Sequence, residues 1–113
     1  MNRPNLLVIC GKNKRRSRTA EFIFKNDARF NIRSAGLSPK SDRRLTETDL
    51  LWADLTLVME TEHRARLKEL YSIAGKKPIE VLYIPDEYEF KDEELVEMLQ
   101  TKINSLLGQY FGI

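Results

Sequence analysis

The chain has a single cysteine, a single histidine and a single tryptophan among 113 residues. A lone cysteine forms neither an internal disulfide nor a thiolate-rich metal site, so it is either a small buried apolar side chain or a reactive group. No apolar stretch approaches the ~20 residues that span a bilayer, and Met1 to Pro4 leads straight into a strand-like run without a signal-peptide pattern. These absences predict a cytoplasmic protein with no membrane partner. Charge of one sign is scarce as well: 19 basic against 17 acidic residues leave +2, so the total makes no case for nucleic acid and any electrostatic reasoning must rest on local clusters. Repeats, linkers and low-complexity segments are missing, and the length suits one domain over residues 1–113.

What is present is an ordinary globular composition, 42% hydrophobic and 32% charged, enough for one real core. Asn5 to Ile9, "NLLVI", reads as a strand buried on both faces, and Ser17 to Asp27 as a helix with Ser17 as N-cap. Phe30 to Ser34 reads as a second strand, followed by a loop to about Arg44 and a short helix capped by Thr46 with Leu50, Leu51 and Trp52 inward. A third strand is expected over Asp54 to Glu60, a helix over Glu62 to Tyr71 with Ala65, Leu67 and Leu70 as apolar contacts, and a fourth strand over Ile79 to Ile84. Asp92 to Leu107 carries Leu95, Val96, Leu99, Ile103 and Leu106 at helical spacing and closes the chain. Strands alternating with helices imply right-handed crossovers, hence an α/β fold with a four-stranded parallel sheet covered by helices on both faces.

In such sheets ligands bind outside the carboxyl ends of the strands, where Cys10 is expected. "CGKNKRRS" follows the first strand and leads into the first helix, so its backbone N–H groups can curl inward while the helix end adds partial positive charge. This is an anion site. A thiol placed there, beside Arg16, is favoured as a thiolate nucleophile. Cysteine, five residues, then Arg16 and Ser17 is a spacing suited to phosphoryl transfer to sulfur: amides and a guanidinium fork hold three phosphate oxygens with sulfur behind phosphorus, and Ser17 can donate to the sulfur.

At these residues the chain resembles the low-molecular-weight protein tyrosine phosphatase family, whose motif is cysteine, five residues, arginine, serine near the N-terminus. The likeness extends to Asn13, which the resemblance makes the brace of the phosphate cradle, to "TAE" at Thr19 to Glu21, "SAG" at Ser34 to Gly36 and "LVME" at Leu57 to Glu60. In "IPDEYEFKD", Asp86 is followed by Tyr88 and Asp92 at the family's offsets. The resemblance implies that Cys10 is the nucleophile, Arg16 and the loop residues Gly11, Lys12, Asn13, Lys14, Arg15 and Ser17 bind phosphate, Asp86 is the general acid, and Tyr88 walls the cleft. It implies no cofactor and no metal, and a phosphorylated protein bearing phosphotyrosine as substrate; phosphoarginine or a small phosphate ester are the other substrates the altered loop admits.

The departures lie in that loop. The family has glycine two residues after the nucleophile, whereas here Gly11 is one after it and Lys12 takes the second place, where a positive φ would strain it. Arg15 replaces the family's second cysteine and Arg18 its proline. Three other readings belong to different classes. An arsenate reductase shares the loop but passes a disulfide between further cysteines, which this chain lacks. A phosphocysteine relay would have no use for Arg16 or Asp86, and a catalytically weak module would bind phosphorylated protein or nucleic acid through the basic loop. His63, on a polar helix turn, reads as surface; Trp52, Phe22 and Phe24 read as core; and Asp92 reads as the N-cap of the last helix.

Overall fold

The computed structural model of the chain describes residues 3–113. Its elements alternate as expected: β1 (Asn5–Cys10), α1 (Arg16–Phe24), β2 (Asn31–Gly36), α2 (Glu47–Trp52), β3 (Leu55–Val58), α3 (Thr61–Leu70), a 3-10 turn (Ser72–Lys76), β4 (Ile79–Val81) and α4 (Glu93–Phe111). The four strands form one parallel sheet in the order β2-β1-β3-β4. Among the described residues no helix is long and apolar enough to cross a membrane.

The alternation of side chains along β1 divides the core in two. Leu6, Val8 and Cys10 pack with Phe24, Leu95, Leu99, Ile103 and Leu107, under α1 and α4. Leu7 and Ile9 pack with Leu50, Leu67 and Ala74 on the opposite face, under α2 and α3. The unbroken apolar run of β1 is thus what a central strand needs when helices cover both faces.

Differences from the sequence expectations concern ends and edges. β2 runs two residues further than Ser34, because β1 pairs with it through Cys10 opposite Gly36. β4 stops at Val81 rather than Ile84; Tyr83 has a φ of 56°, yet the N–H groups of Leu82 and Ile84 still reach the carbonyls of Val58 and Met59. α4 continues through Gly108 to Phe111 and ends where Gly112 turns left-handed at φ 68°. Asp92 caps α4 as expected, accepting from the N–H groups of Glu94 and Leu95. Leu51, Ala65 and Leu70 are exposed rather than inward, and Phe22 is exposed too, packed edge-on against Phe90 at 5.9 Å. Trp52 is partly buried against the α2/α3 side of the core.

The β2 end fixes the loop after β1. Ser38 N–H donates to the Gly11 carbonyl at 2.8 Å, Leu37 N–H to that of Cys10 at 3.1 Å and Asp42 N–H to that of Lys12 at 3.2 Å. This close approach requires glycine at position 36: a Cβ there would sit 2.8 Å from the backbone nitrogen of Asn13 and overlap the Ser41 side chain. Gly36→Ala should therefore cost about 1–3 kcal/mol, as over-packing does elsewhere, seen as a lower urea midpoint; a midpoint equal to wild type would show that the loop can move aside freely.

Candidate active site

Cys10 ends β1 and Arg16 begins α1, and the residues between them wrap the carboxyl edge of the sheet. The carbonyls of Cys10, Gly11, Lys12 and Arg15 face outward, toward segment 37–42 or toward Thr19 N–H. The N–H groups of Gly11 to Arg15 donate to nothing else among the described residues. Buried backbone donors are nearly always paired, so a run of free ones curled about a cavity is a nest for an anion. The turn is made at Asn13, the one loop residue with positive φ (54°), and not at Lys12, which carries none of the strain that the family's glycine spacing suggested. Asparagine tolerates that left-handed region better than most residues.

Cys10 is only 4% exposed, yet it lines a cleft of about 550 Å³. Its Sγ lies 2.9 Å from Ser17 Oγ, and Asn13 Nδ2 donates to the same oxygen at 2.8 Å. With the Asn13 amide bonded to the serine oxygen, the hydroxyl proton is free to point at sulfur. Ser17 is thus drawn inward and does not cap α1. The N-cap is Arg15, without a side-chain bond, which leaves the helix end open toward the cleft.

Arg16 is 4% exposed and turned inward. Its Nη1 donates to Glu60 Oε2 at 2.8 Å and to the Ile84 carbonyl at 2.6 Å, while its Nε lies 3.8 Å from Asp86 Oδ1. Both short bonds use Nη1, so the Nε/Nη2 edge, the one that forks onto two oxygens, makes no hydrogen bond among the described residues. Asp86 itself is 63% exposed at its side chain and lines the cleft opposite the loop. Its loop is pinned to α1 at both ends: Ile84 by Arg16, and Lys91 by its N–H donating to Thr19 Oγ1 at 3.0 Å.

Of the residues read from sequence, Cys10, Gly11, Lys12, Lys14, Arg15, Arg16 and Asp86 line the cleft, and Asn13 and Ser17 lie buried behind it. Tyr88 does not line it; the ring packs against the core between sheet, α1 and α4. Glu60 and His63 were missed. Glu60 follows β3 at the sheet's carboxyl edge, and His63 stands three residues on, the spacing of a helix-start box, so strand topology and capping together could have found both. His63 is not a surface residue: it is 8% exposed, and its Nδ1 accepts the Glu60 N–H at 3.2 Å.

Glu60, Glu62 and His63 bring ligand-type atoms within 4.8 Å of one another. The Nδ1 bond leaves the proton of the neutral ring on Nε2, and Glu60 Oε2 is bound to Arg16, so of the three residues only the exposed Glu62 carboxylate has both oxygens free.

No protein-family model matches the sequence, and no curated protein does so significantly. Solved structures do share the fold. The low molecular weight protein tyrosine phosphatase SP-PTP of Streptococcus pyogenes superposes with a TM-score of 0.79 at 19% identity, over 96% of this chain and 93% of that one. The tyrosine phosphatase Wzb of Escherichia coli K30, solved with phosphate, gives 0.73 at 21% identity over 94% and 97%. The YwlE arginine phosphatase of Geobacillus stearothermophilus gives 0.70 at 19% over 95% and 97%.

Burial, and then the charge of Arg16, push the His63 imidazole below its ordinary range, against smaller opposing pulls from Glu60, Glu62 and Asp86. The unfolded chain therefore takes up a proton at a pH where the folded one does not. The stability that follows is complete above the ordinary histidine range and is lost as pH falls from there toward the lowered folded value. His63→Gln keeps an acceptor for the Glu60 N–H and removes the titration. Between about pH 7.5 and 5.5, either side of that range, its urea midpoint should fall less than that of wild type; equal falls would mean His63 is not held neutral.

Proposed function

We propose that the chain is a phosphomonoesterase that works through a cysteinyl phosphate. The observation that carries this reading is that the N–H groups of Gly11 to Arg15 have no acceptor among the described residues, on a loop that lines the same cleft as Cys10 and as Arg16, whose Nε/Nη2 edge is also unbonded. These donors suit the three equatorial oxygens of a phosphoryl group, and sulfur then lies behind phosphorus, in line with the leaving oxygen. The fold shared with phosphatases from several bacteria supports the same reading.

In the first step the thiolate of Cys10 forms an S–P bond as the P–O ester bond breaks, and the carboxylic acid of Asp86 gives its proton to the departing oxygen. In the second, water attacks phosphorus, the Asp86 carboxylate takes a proton from it, and the S–P bond breaks. Sulfur leaves as thiolate, stabilised by the Ser17 hydroxyl at 2.9 Å. The two steps consume one ester and one water and return Cys10 and Asp86 to their starting states. A cytoplasmic setting, where thiols stay reduced, suits an enzyme whose one cysteine must stay free. A phosphocysteine relay is favoured less, because the buried clamp on Arg16 and a proton donor at Asp86 serve release of phosphate rather than its retention.

Cys10→Ser should abolish hydrolysis of p-nitrophenyl phosphate while retaining phosphate binding; residual turnover near wild type would remove the covalent mechanism. Asp86→Asn should lower kcat/KM, which reports only the S–P bond-forming step, by about 100-fold or more on phenyl phosphate, within the usual worth of a positioned acid, and far less on p-nitrophenyl phosphate, because that leaving group needs little protonation. Equal losses of kcat/KM on the two esters would assign Asp86 to binding instead.

A further inference from the structure

The cleft has two layers of positive charge, and only the inner one is engaged by the chain. At the floor, Arg16 is clamped by Glu60 and Ile84 and faces Asp86. At the lip, Lys12 and Lys14 flank Asn13 on the same loop; both are exposed and line the cleft, and neither has a carboxylate within 4.0 Å among the described residues. Arg15 beside them is held only loosely, 3.7 Å from the exposed Glu89. The carboxylates of the cleft stand on the other side: Glu60 and Asp86 turn to Arg16, and Glu62 belongs to α3. The lining also contains no phenylalanine, tyrosine or tryptophan, since Tyr88 packs on the core; the one ring is that of His63. A phosphotyrosine ring would therefore enter between charged side chains with no aromatic wall to pack on.

Resting on the phosphomonoesterase reading, we infer that the ester this site is shaped for is a small polyanion, with a second phosphate or carboxylate near the scissile phosphate, and that Lys12 and Lys14 bind the second group. The nest and Arg16 supply the donors for one phosphoryl group, so two further ammonium groups at the lip are left for a neighbour. The volume, about 550 Å³, is in the range of small-molecule sites.

The test compares two non-hydrolysable probes that differ only in the second anion, methylphosphonate and methylenediphosphonate, by calorimetry on the intact protein. The diphosphonate should bind about 10-fold tighter at low ionic strength, a difference of about 1.4 kcal/mol. The advantage should shrink with added salt and fall to about 2-fold or less in a Lys12→Ala/Lys14→Ala variant. The measured quantity is the ratio of the two affinities, which cancels any general weakening of the nest. Equal binding of the two probes by wild type, or an advantage that survives the double substitution, would overturn the inference while leaving the phosphatase reading intact. Failure to bind either probe would overturn both. A lysine-dependent preference for a tyrosine-phosphorylated peptide flanked by glutamates, with no preference for the diphosphonate, would replace the small ester by an acidic phosphoprotein.

Discussion

The guanidinium of Arg16 joins three segments that are far apart in the chain. It starts α1, bonds the carboxylate of Glu60 at the start of α3, and bonds the carbonyl of Ile84 at the start of the Asp86 loop. A buried cation with a single partner removed is among the more destabilising defects a protein can carry, so Glu60 and Ile84 are held as firmly as the arginine is. The Cys10 loop and the Asp86 loop are thereby set against each other across the cleft. The second tether, from Lys91 to Thr19, and the edge-on contact of Phe22 with Phe90 hold the far end of the acid loop to the same helix. Phe22, which reads as core by its spacing, serves this loop instead.

The shape of the Cys10 loop depends on where its carbonyls go. Segment 37–42 and Thr19 bind them, and the loop N–H groups are left without acceptors among the described residues. That arrangement needs a left-handed turn at Asn13 and a bare Cα at Gly36, so two residues without chemistry of their own decide the shape of the cradle. Asn13 has a second task, holding the Ser17 oxygen that faces sulfur. The loop moves the positive φ one residue along from the place the family's glycine suggested, and so Lys12 is free of strain and its side chain is free to stand at the lip.

His63 sits behind this machinery. Its ring accepts the N–H of Glu60 and so orders the residue that clamps Arg16, while burial keeps it neutral. On the wall of the cleft opposite the basic loop Glu60 is ion-paired to Arg16, whereas Glu62 there, like Lys12 and Lys14 on the loop, is exposed and has no ion-pair partner among the described residues.

The alternation of apolar runs and helical spacings determined the fold class: a central strand with consecutive side chains buried, as in "LLVIC", has no other home than a sheet covered on both faces. The spacing of Cys10, Arg16 and Ser17 likewise determined that these three side chains meet, because those residues are local and their geometry is set by one strand end and one helix start. The bond of Glu60 to Arg16 and the true place of Tyr88 were decided by tertiary structure alone. They depend on how β3 and β4 line up beside β1 and on which side chains the buried guanidinium can reach, and contacts between residues more than 40 positions apart leave no periodic trace in sequence. The same holds for Asn13 against Lys12: a short loop's dihedral angles follow from the partners of its carbonyls, and those partners come from another part of the chain.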